Sequence, residues 1–213
     1  LDEPGMVEIL TIRASNLPGP RVYQVGALTQ KLEGKALTEM AELTEAGCVA
    51  FTQVDAPMTD TQVLLRAMEY AATFGFCIWL RPQDYPLSRG GLAHDGAVAS
   101  RLGLAGIPAL AETVALATIL QLARATGCRV HLSRLSTREG VAMVGAAKQD
   151  GLAISCDVAS THLHLTENDL VGFDSHFHLI PPLRSQRDRE ALSAALADGA
   201  IDAICSDHTP VDE

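Results

Sequence analysis

The sequence predicts an α/β fold organised on a parallel sheet, and three observations carry that expectation. Short apolar runs alternate with helical segments six times, at about one βα unit per 25–30 residues, and strict alternation argues for parallel strands joined by right-handed crossovers. The composition is 47% apolar and 4% aromatic, rich in Ala, Leu, Val and Gly, which suits helices packed closely on a buried sheet. The last apolar run, Ala203-Ile204-Cys205, stops at Ser206-Asp207-His208-Thr209-Pro210. Parallel α/β barrels place metal ligands and catalytic bases at such strand ends. A (β/α)8 barrel needs eight strands, so two would lie outside the sequence. An open doubly wound sheet is the alternative, although nothing resembles GxGxxG or a P-loop.

The elements follow in order. Residues 5–17 read as a helix stopped by Leu17-Pro18-Gly19-Pro20, because Pro cannot continue a helix and Gly favours the exit. Residues 21–28 read as a strand, 29–34 as a loop, and 35–46 as an amphipathic helix closed by Gly47. Residues 48–52 form a strand. Thr59 or Asp60 caps a helix that runs to about Phe74 and ends at Gly75. A strand over 76–80 leads into a long connection, 81–108, which contains Gly90-Gly91. Most βα loops are far shorter, so a functional or partner-binding role is expected there. Residues 109–126 read as a helix and 128–135 as a strand. Ser136 and Thr137 are good caps for a helix reaching Asp150, with Glu139 in its first turn. A strand over 152–158 precedes a second long, His-rich connection, 159–185. A helix over 186–197 and a strand over 203–206 complete the repeat.

The 213 residues can bury a real core as one domain or most of one. The formal charge is −10, and Lys and Arg do not cluster, which argues against nucleic acid and anionic membrane as partners. Five cysteines, Cys48, Cys77, Cys128, Cys156 and Cys205, lie at or beside apolar strands without a CxxC. They read as small core thiols of a reducing, cytoplasmic compartment. No apolar run reaches membrane-spanning length. The acidic, Pro/Gly-containing start without an initiator Met reads as part of a longer protein.

Several stretches together carry a family likeness. They are Gly26-Ala27-Leu28-Thr29 with Leu32 and Gly34, Gly90-Gly91, and Arg101-Leu102-Gly103-Leu104 through Gly106-Ile107-Pro108-Ala109. Leu135-Ser136-Thr137, Pro181-Pro182-Leu183-Arg184-Ser185, Asp188-Arg189-Glu190-Ala191-Leu192 and Ser206-Asp207-His208-Thr209-Pro210 complete the set. In this order and spacing the chain resembles dihydroorotases of the amidohydrolase superfamily over nearly its whole length. The resemblance implies a TIM-barrel-like (β/α)8 fold, of which residues 1–213 would be a single partial domain holding about the third to eighth βα units. The strand-one HxH and a C-terminal extension would lie outside it. It also implies divalent metal, usually zinc, at the strand ends, activating the water that opens a cyclic amide in pyrimidine synthesis. The strand-end Asp is then the proton shuttle.

This chain departs from that pattern at the metal. The bridging acid after strand four falls at Val54, with Asp55 one step on, which alternation would turn to the other face. The two histidine ligands after strands five and six fall at Arg81 and Arg134. The substrate-contacting Asn falls at Ile180. Asp207 remains, with His208 beside it. Arginine stays protonated and has no lone pair for a metal, and zinc needs three or four close ligands. The expectation is therefore no metal, a vestigial Asp207 and His208, and Arg81 or Arg134 paired with Asp207 in place of a cation. The pairs His162/His164 and His176/His178 read as polar loop residues, since HxH alone is weak. His131 reads as an interior strand residue, His94 as solvated, and Asp157 as structural at least as readily as catalytic.

Two functions follow from the resemblance. The first is a catalytically inactive dihydroorotase homologue that serves as an assembly subunit with the catalytic chain of aspartate transcarbamoylase in de novo pyrimidine biosynthesis, in a hetero-oligomer. The second is an active zinc-dependent dihydroorotase, or related cyclic amidohydrolase, with a rearranged or mononuclear site using strand-one residues outside the sequence together with Asp207 and His131 or His162. A third, an anion-sensing pocket lined by Arg81 and Arg134, is also open.

Overall fold

The structure, a computed structural model, describes residues 1–208. The elements run α1 (Pro4–Ser15), β1 (Gln24–Ala27), α2 (Met40–Glu45), β2 (Cys48–Thr52), α3 (Thr61–Phe74), β3 (Cys77–Leu80), α4 (Tyr85–Ser88), β4 (Ala93–His94), α5 (Ala97–Leu102) and β5 (Gly106–Ile107). They continue with α6 (Leu110–Thr126), β6 (Arg129–Leu132), α7 (Arg138–Gln149), β7 (Ile154–Ala159), α8 (Ser160–His164), α9 (Gln186–Ala197) and β8 (Ala203–Cys205). Short 3-10 turns occupy Gln30–Leu32, Glu167–Gly172 and Ser175–Phe177. Among the described residues no helix is long and apolar enough to cross a membrane. The chain divides into two compact units, one of Leu1–Arg81 with Leu120–His131, the other of Pro82–Ile119 with the residues from Leu132 onward.

In the first unit β1, β2 and β3 are parallel neighbours, and β6 lies beside β3. The strands bury part of their apolar residues: Phe51 and Ile78 pair across β2 and β3, and Leu28, Met40, Leu43 and Met68 are buried, while Val49 and Trp79 stay exposed. Gly26 has no Cβ because one would lie 3.0 Å from the Phe51 ring. Asp60 caps α3 by accepting the Gln62 and Val63 N–H groups, and Gly75 closes it in the left-handed conformation that glycine adopts without strain.

The helix expected over 35–46 is only Met40–Glu45. Leu37 instead bridges Thr29, and the Thr38 hydroxyl donates to the Ala27 carbonyl at 2.6 Å. A buried threonine with an extended backbone satisfies its polar groups better there than in a helical turn. Gln53 fixes the preceding loop, accepting from the Thr29 hydroxyl and donating to the Leu32 carbonyl. Three cysteines are buried and two, Cys77 and Cys205, are half-buried. Burial pushes the Cys128 thiol up to about 12 and the Cys156 thiol up to about 11, consistent with inert packing.

In the second unit β7 and β8 are parallel, with Asp157 opposite Ala203 and Ala159 opposite Cys205. The first long connection is not bare loop. It holds α4, α5 and a small parallel sheet of β4 and β5, closed by N–H bonds from Leu92 to Ala105 and from Asp95 to Ile107. The second connection packs against it: Ala93, Ala99 and Leu170 are buried together, with Leu102, Leu104 and Phe177 over them.

A buried carboxylate ties this unit together. Glu112, in the first turn of α6, is fully enclosed. Its Oε2 accepts the Ser136 N–H (2.9 Å) and hydroxyl (2.6 Å), and its Oε1 accepts the Thr137 N–H (3.0 Å) and hydroxyl (2.7 Å). Ser136 Oγ in turn accepts from Arg184 Nε at 3.1 Å, and Thr137 Oγ1 accepts the Gly140 N–H while capping α7. Both hydroxyl protons are therefore committed to Glu112, and the carboxylate has no room for a proton of its own. Burial pushes the Glu112 carboxyl up from its ordinary range, opposed by Arg184 and these hydrogen bonds. Ser136, expected as an alternative cap, is spent here.

The packing around Oε1 sets opposite outcomes for two glycines of α7. A Cβ on Gly140 would sit 2.2 Å from Glu112 Oε1, whereas one on Gly145 meets nothing within 4 Å. Gly140→Ala should therefore cost about 1–3 kcal/mol by overpacking. Gly145→Ala should stabilise by about 0.5–1 kcal/mol through helix propensity. Urea denaturation of the two variants checks the pair, and equal effects would contradict the Glu112 geometry.

Candidate functional site

The strand-end positions of the first unit form one ion pair. β2 ends at Thr52, and the chain then turns through Val54 at φ 53°, a left-handed conformation unusual for a β-branched residue. The Val54 N–H bonds back to Thr52 Oγ1, and its side chain is exposed. That turn ends the strand's alternation, so Asp55 is not carried to the opposite face as a pleated strand would require. It accepts instead from Arg81 Nε at 2.7 Å, just past β3. The Arg81 side chain is 9% exposed and that of Asp55 56%, so the guanidinium is largely desolvated against a wetter carboxylate.

The second unit holds the other arginine. β6 ends at Leu132, and Arg134 turns at φ 57°. The turn is anchored by Asp157, buried on β7, whose Oδ1 accepts the Arg134 N–H at 2.7 Å while its carbonyl accepts the Leu135 N–H at 3.0 Å. So directed, Arg134 Nη1 reaches both oxygens of Asp207, at 2.9 and 3.1 Å, and the Ile180 carbonyl at 3.4 Å. The pair is mostly shielded, with side chains 14% and 30% exposed. Cys205 Sγ lies 3.3 Å from Asp157 Oδ1, and burial followed by the Asp157 charge pushes its thiol up to about 12. Ile180 contributes a backbone carbonyl rather than a side-chain contact, and His208 is exposed. Thr209 and Pro210 lie outside the described residues.

The histidines do not assemble. His162 is buried, with Nε2 donating to the Pro182 carbonyl and Nδ1 accepting from the Thr161 hydroxyl; burial holds it below its ordinary pKa. His164 is exposed. His176 is exposed against Asp174 at 2.6 Å, which holds the Asp174 carboxyl down, and His178 is exposed. His131 is buried with its ring 4.7 Å from Trp79. His94, read from sequence as solvated, is half-buried against Arg184, because the small β4–β5 sheet folds it inward.

Among the described residues no three His, Cys, Asp or Glu side chains converge as a metal site. The donor set does not fit zinc on chemical grounds. Guanidinium groups occupy two of the expected ligand positions and already hold Asp55 and Asp207, and an isopropyl side chain occupies a third. The sequence pointed to Asp207, Arg81 and Arg134. It gave no role to Arg184 and did not single out Glu112, whose only local signal is an acid in a first helical turn.

The Arg134–Asp207 contact can be measured directly. A double-mutant cycle of Arg134→Ala and Asp207→Ala, read by denaturant unfolding, should give a coupling of about 1 kcal/mol that shrinks with added salt. Additive single effects would remove the pair from the account.

Residues 3–140 match the family model described as dihydro-orotase-like. The chain is 46% identical over 210 residues to a dihydroorotase-like protein of Pseudomonas aeruginosa, covering 99% of the chain and 50% of that protein. It is 38% identical to a dihydroorotase of Desulfotalea psychrophila over the same shares of both chains. It thus spans about half the length of the curated relatives it matches. Among solved structures it superposes on the L-hydantoinase (dihydropyrimidinase) of Arthrobacter aurescens with a TM-score of 0.80 at 20% identity, over 96% of this chain and 47% of that one. That likeness and the parallel βα repeats fit part of a (β/α)8 barrel. On sequence and fold together, the chain belongs to the dihydroorotase-like family.

Proposed function

We propose that this dihydroorotase homologue is catalytically inactive and acts as a cytoplasmic assembly subunit for the catalytic chain of aspartate transcarbamoylase, in a hetero-oligomer of pyrimidine biosynthesis. The carrying observation is the guanidinium of Arg134 on both oxygens of Asp207. A proton shuttle needs a free, titrating carboxylate beside an activated water. Here the carboxylate is neutralised by a permanently charged group that cannot polarise an amide carbonyl as a Lewis acid. Arg81 holds Asp55 in the same way. Two relatives, at 46% and 43% identity, are named dihydroorotase-like protein rather than dihydroorotase, which is compatible with this reading. The competing reading, an active zinc-dependent dihydroorotase with a rearranged site, is favoured by relatives at 37–40% identity that are named dihydroorotase.

Two measurements separate them. The intact protein supplied with equimolar zinc should show no dihydroorotate turnover above a protein-free control, and Asp207→Asn should be indistinguishable from it. Turnover that Asp207→Asn abolishes would establish the active reading. Mixed with the aspartate transcarbamoylase catalytic chain and sized by light scattering, the intact protein should co-elute as one large hetero-oligomer. A lone species beside the transcarbamoylase would overturn the assembly role.

A further inference from the structure

Arg184 reaches beyond the Glu112 network to the first long connection. Its Nη1 donates to the Ile107 carbonyl at 2.6 Å and to His94 Nδ1 at 3.1 Å. A guanidinium only donates, so Nδ1 must offer a lone pair; His94 is neutral with its proton on Nε2. On the other side stands Glu167, whose N–H donates to the Arg184 carbonyl at 2.9 Å. Its Oε2 is buried and accepts no hydrogen bond among the described residues. Gly96 separates the two: a Cβ there would lie 3.1 Å from Glu167 Oε2 and 3.6 Å from His94 Nε2. The imidazole and the unsatisfied carboxylate oxygen therefore face one small space. The charged groups around His94 are Arg184, Glu167, Asp188 of α9 and Asp95 beside it. Burial and then Arg184 lower its pKa, while the three carboxylates oppose them.

We propose that His94 is a pH-sensitive latch. Neutral, it fastens the β4–β5 segment to Arg184. Protonated, it loses the Nδ1 acceptor, faces the guanidinium as a like charge, and is drawn to the Glu167 carboxylate. That removes the β4 contact to Arg184, leaving the Ile107 carbonyl of β5 to hold the segment, and loosens β4 against the Ala93, Ala99 and Leu170 cluster. The sign follows from linkage. With the folded pKa below the unfolded one, the unfolded state binds more protons between the two values. The latch is fully closed above the ordinary histidine pKa and weakens as pH falls through and below it. The device is independent of the Asp207 site and of the assembly role.

Hydrogen exchange of the intact protein tests it. After correction for intrinsic exchange, protection of the Leu92 and Asp95 amides should fall severalfold between about pH 7.5 and 5.5, while α3 amides change little. His94→Asn keeps an acceptor for Arg184 but cannot titrate, and should abolish the fall. An equal fall in that variant, or none in the wild type, overturns the latch. Should the variant not fold, nitrogen-detected titration of the wild-type imidazoles decides. A neutral Nε2–H tautomer titrating below the ordinary histidine value supports the proposal, and a His94 cationic at neutral pH refutes it.

Discussion

The second unit depends on one ionised carboxylate sealed from water. Isolated, the Glu112 charge would be prohibitively expensive to bury. It is tolerated because four donors converge on it and a guanidinium stands behind one of them. Each partner is thereby given a second duty. Ser136 and Thr137 are held in the turn that starts α7, Gly140 must lack a side chain, and Arg184 is aimed at Ile107 and His94. Removing one partner of such a buried pair typically costs about 3–5 kcal/mol, because the other charge is left uncompensated.

This explains where the family likeness resides. Ser136-Thr137, Gly106-Ile107-Pro108 and Pro182-Leu183-Arg184 are scattered in sequence, yet Ser136, Thr137, Ile107 and Arg184 meet around one acid. These residues serve the scaffold, and the family match over residues 3–140 is a match of sequence and not of chemistry.

The fold was legible wherever a local rule had no competitor. Asp60 and Gly75 bracket α3, the helix read over 186–197 is α9, and the apolar runs became strands. It was not legible where a distant partner decides. The start of the 35–46 helix is lost to the Thr38 hydroxyl bond to the Ala27 carbonyl at the end of β1 and to the bridge between Leu37 and Thr29. The β4–β5 sheet is two residues wide in each strand, too short to leave a period. Arg134 and Asp207 could be matched from sequence only because the family supplies their strand ends. Asp157, which aims Arg134, and Glu112, which aims Arg184, act through contacts 23 to 25 residues away along the chain.

The Arg134 arrangement also shows how a strand-end carboxylate can be held by a guanidinium. A carboxylate there needs positive charge close by, whatever its source. A metal supplies it together with vacant coordination positions, and those positions are what chemistry uses. A guanidinium supplies the charge with none. For an arginine to take that role, its long side chain must be held, and Asp157 contributes by accepting the Arg134 N–H where the backbone turns at φ 57°. Nη1 then bridges Asp207 and the Ile180 carbonyl in the second long connection. The same contact that holds Asp207 places a fixed positive charge against both of its carboxylate oxygens, so any chemistry proposed for that carboxylate has to start from a charge-paired group.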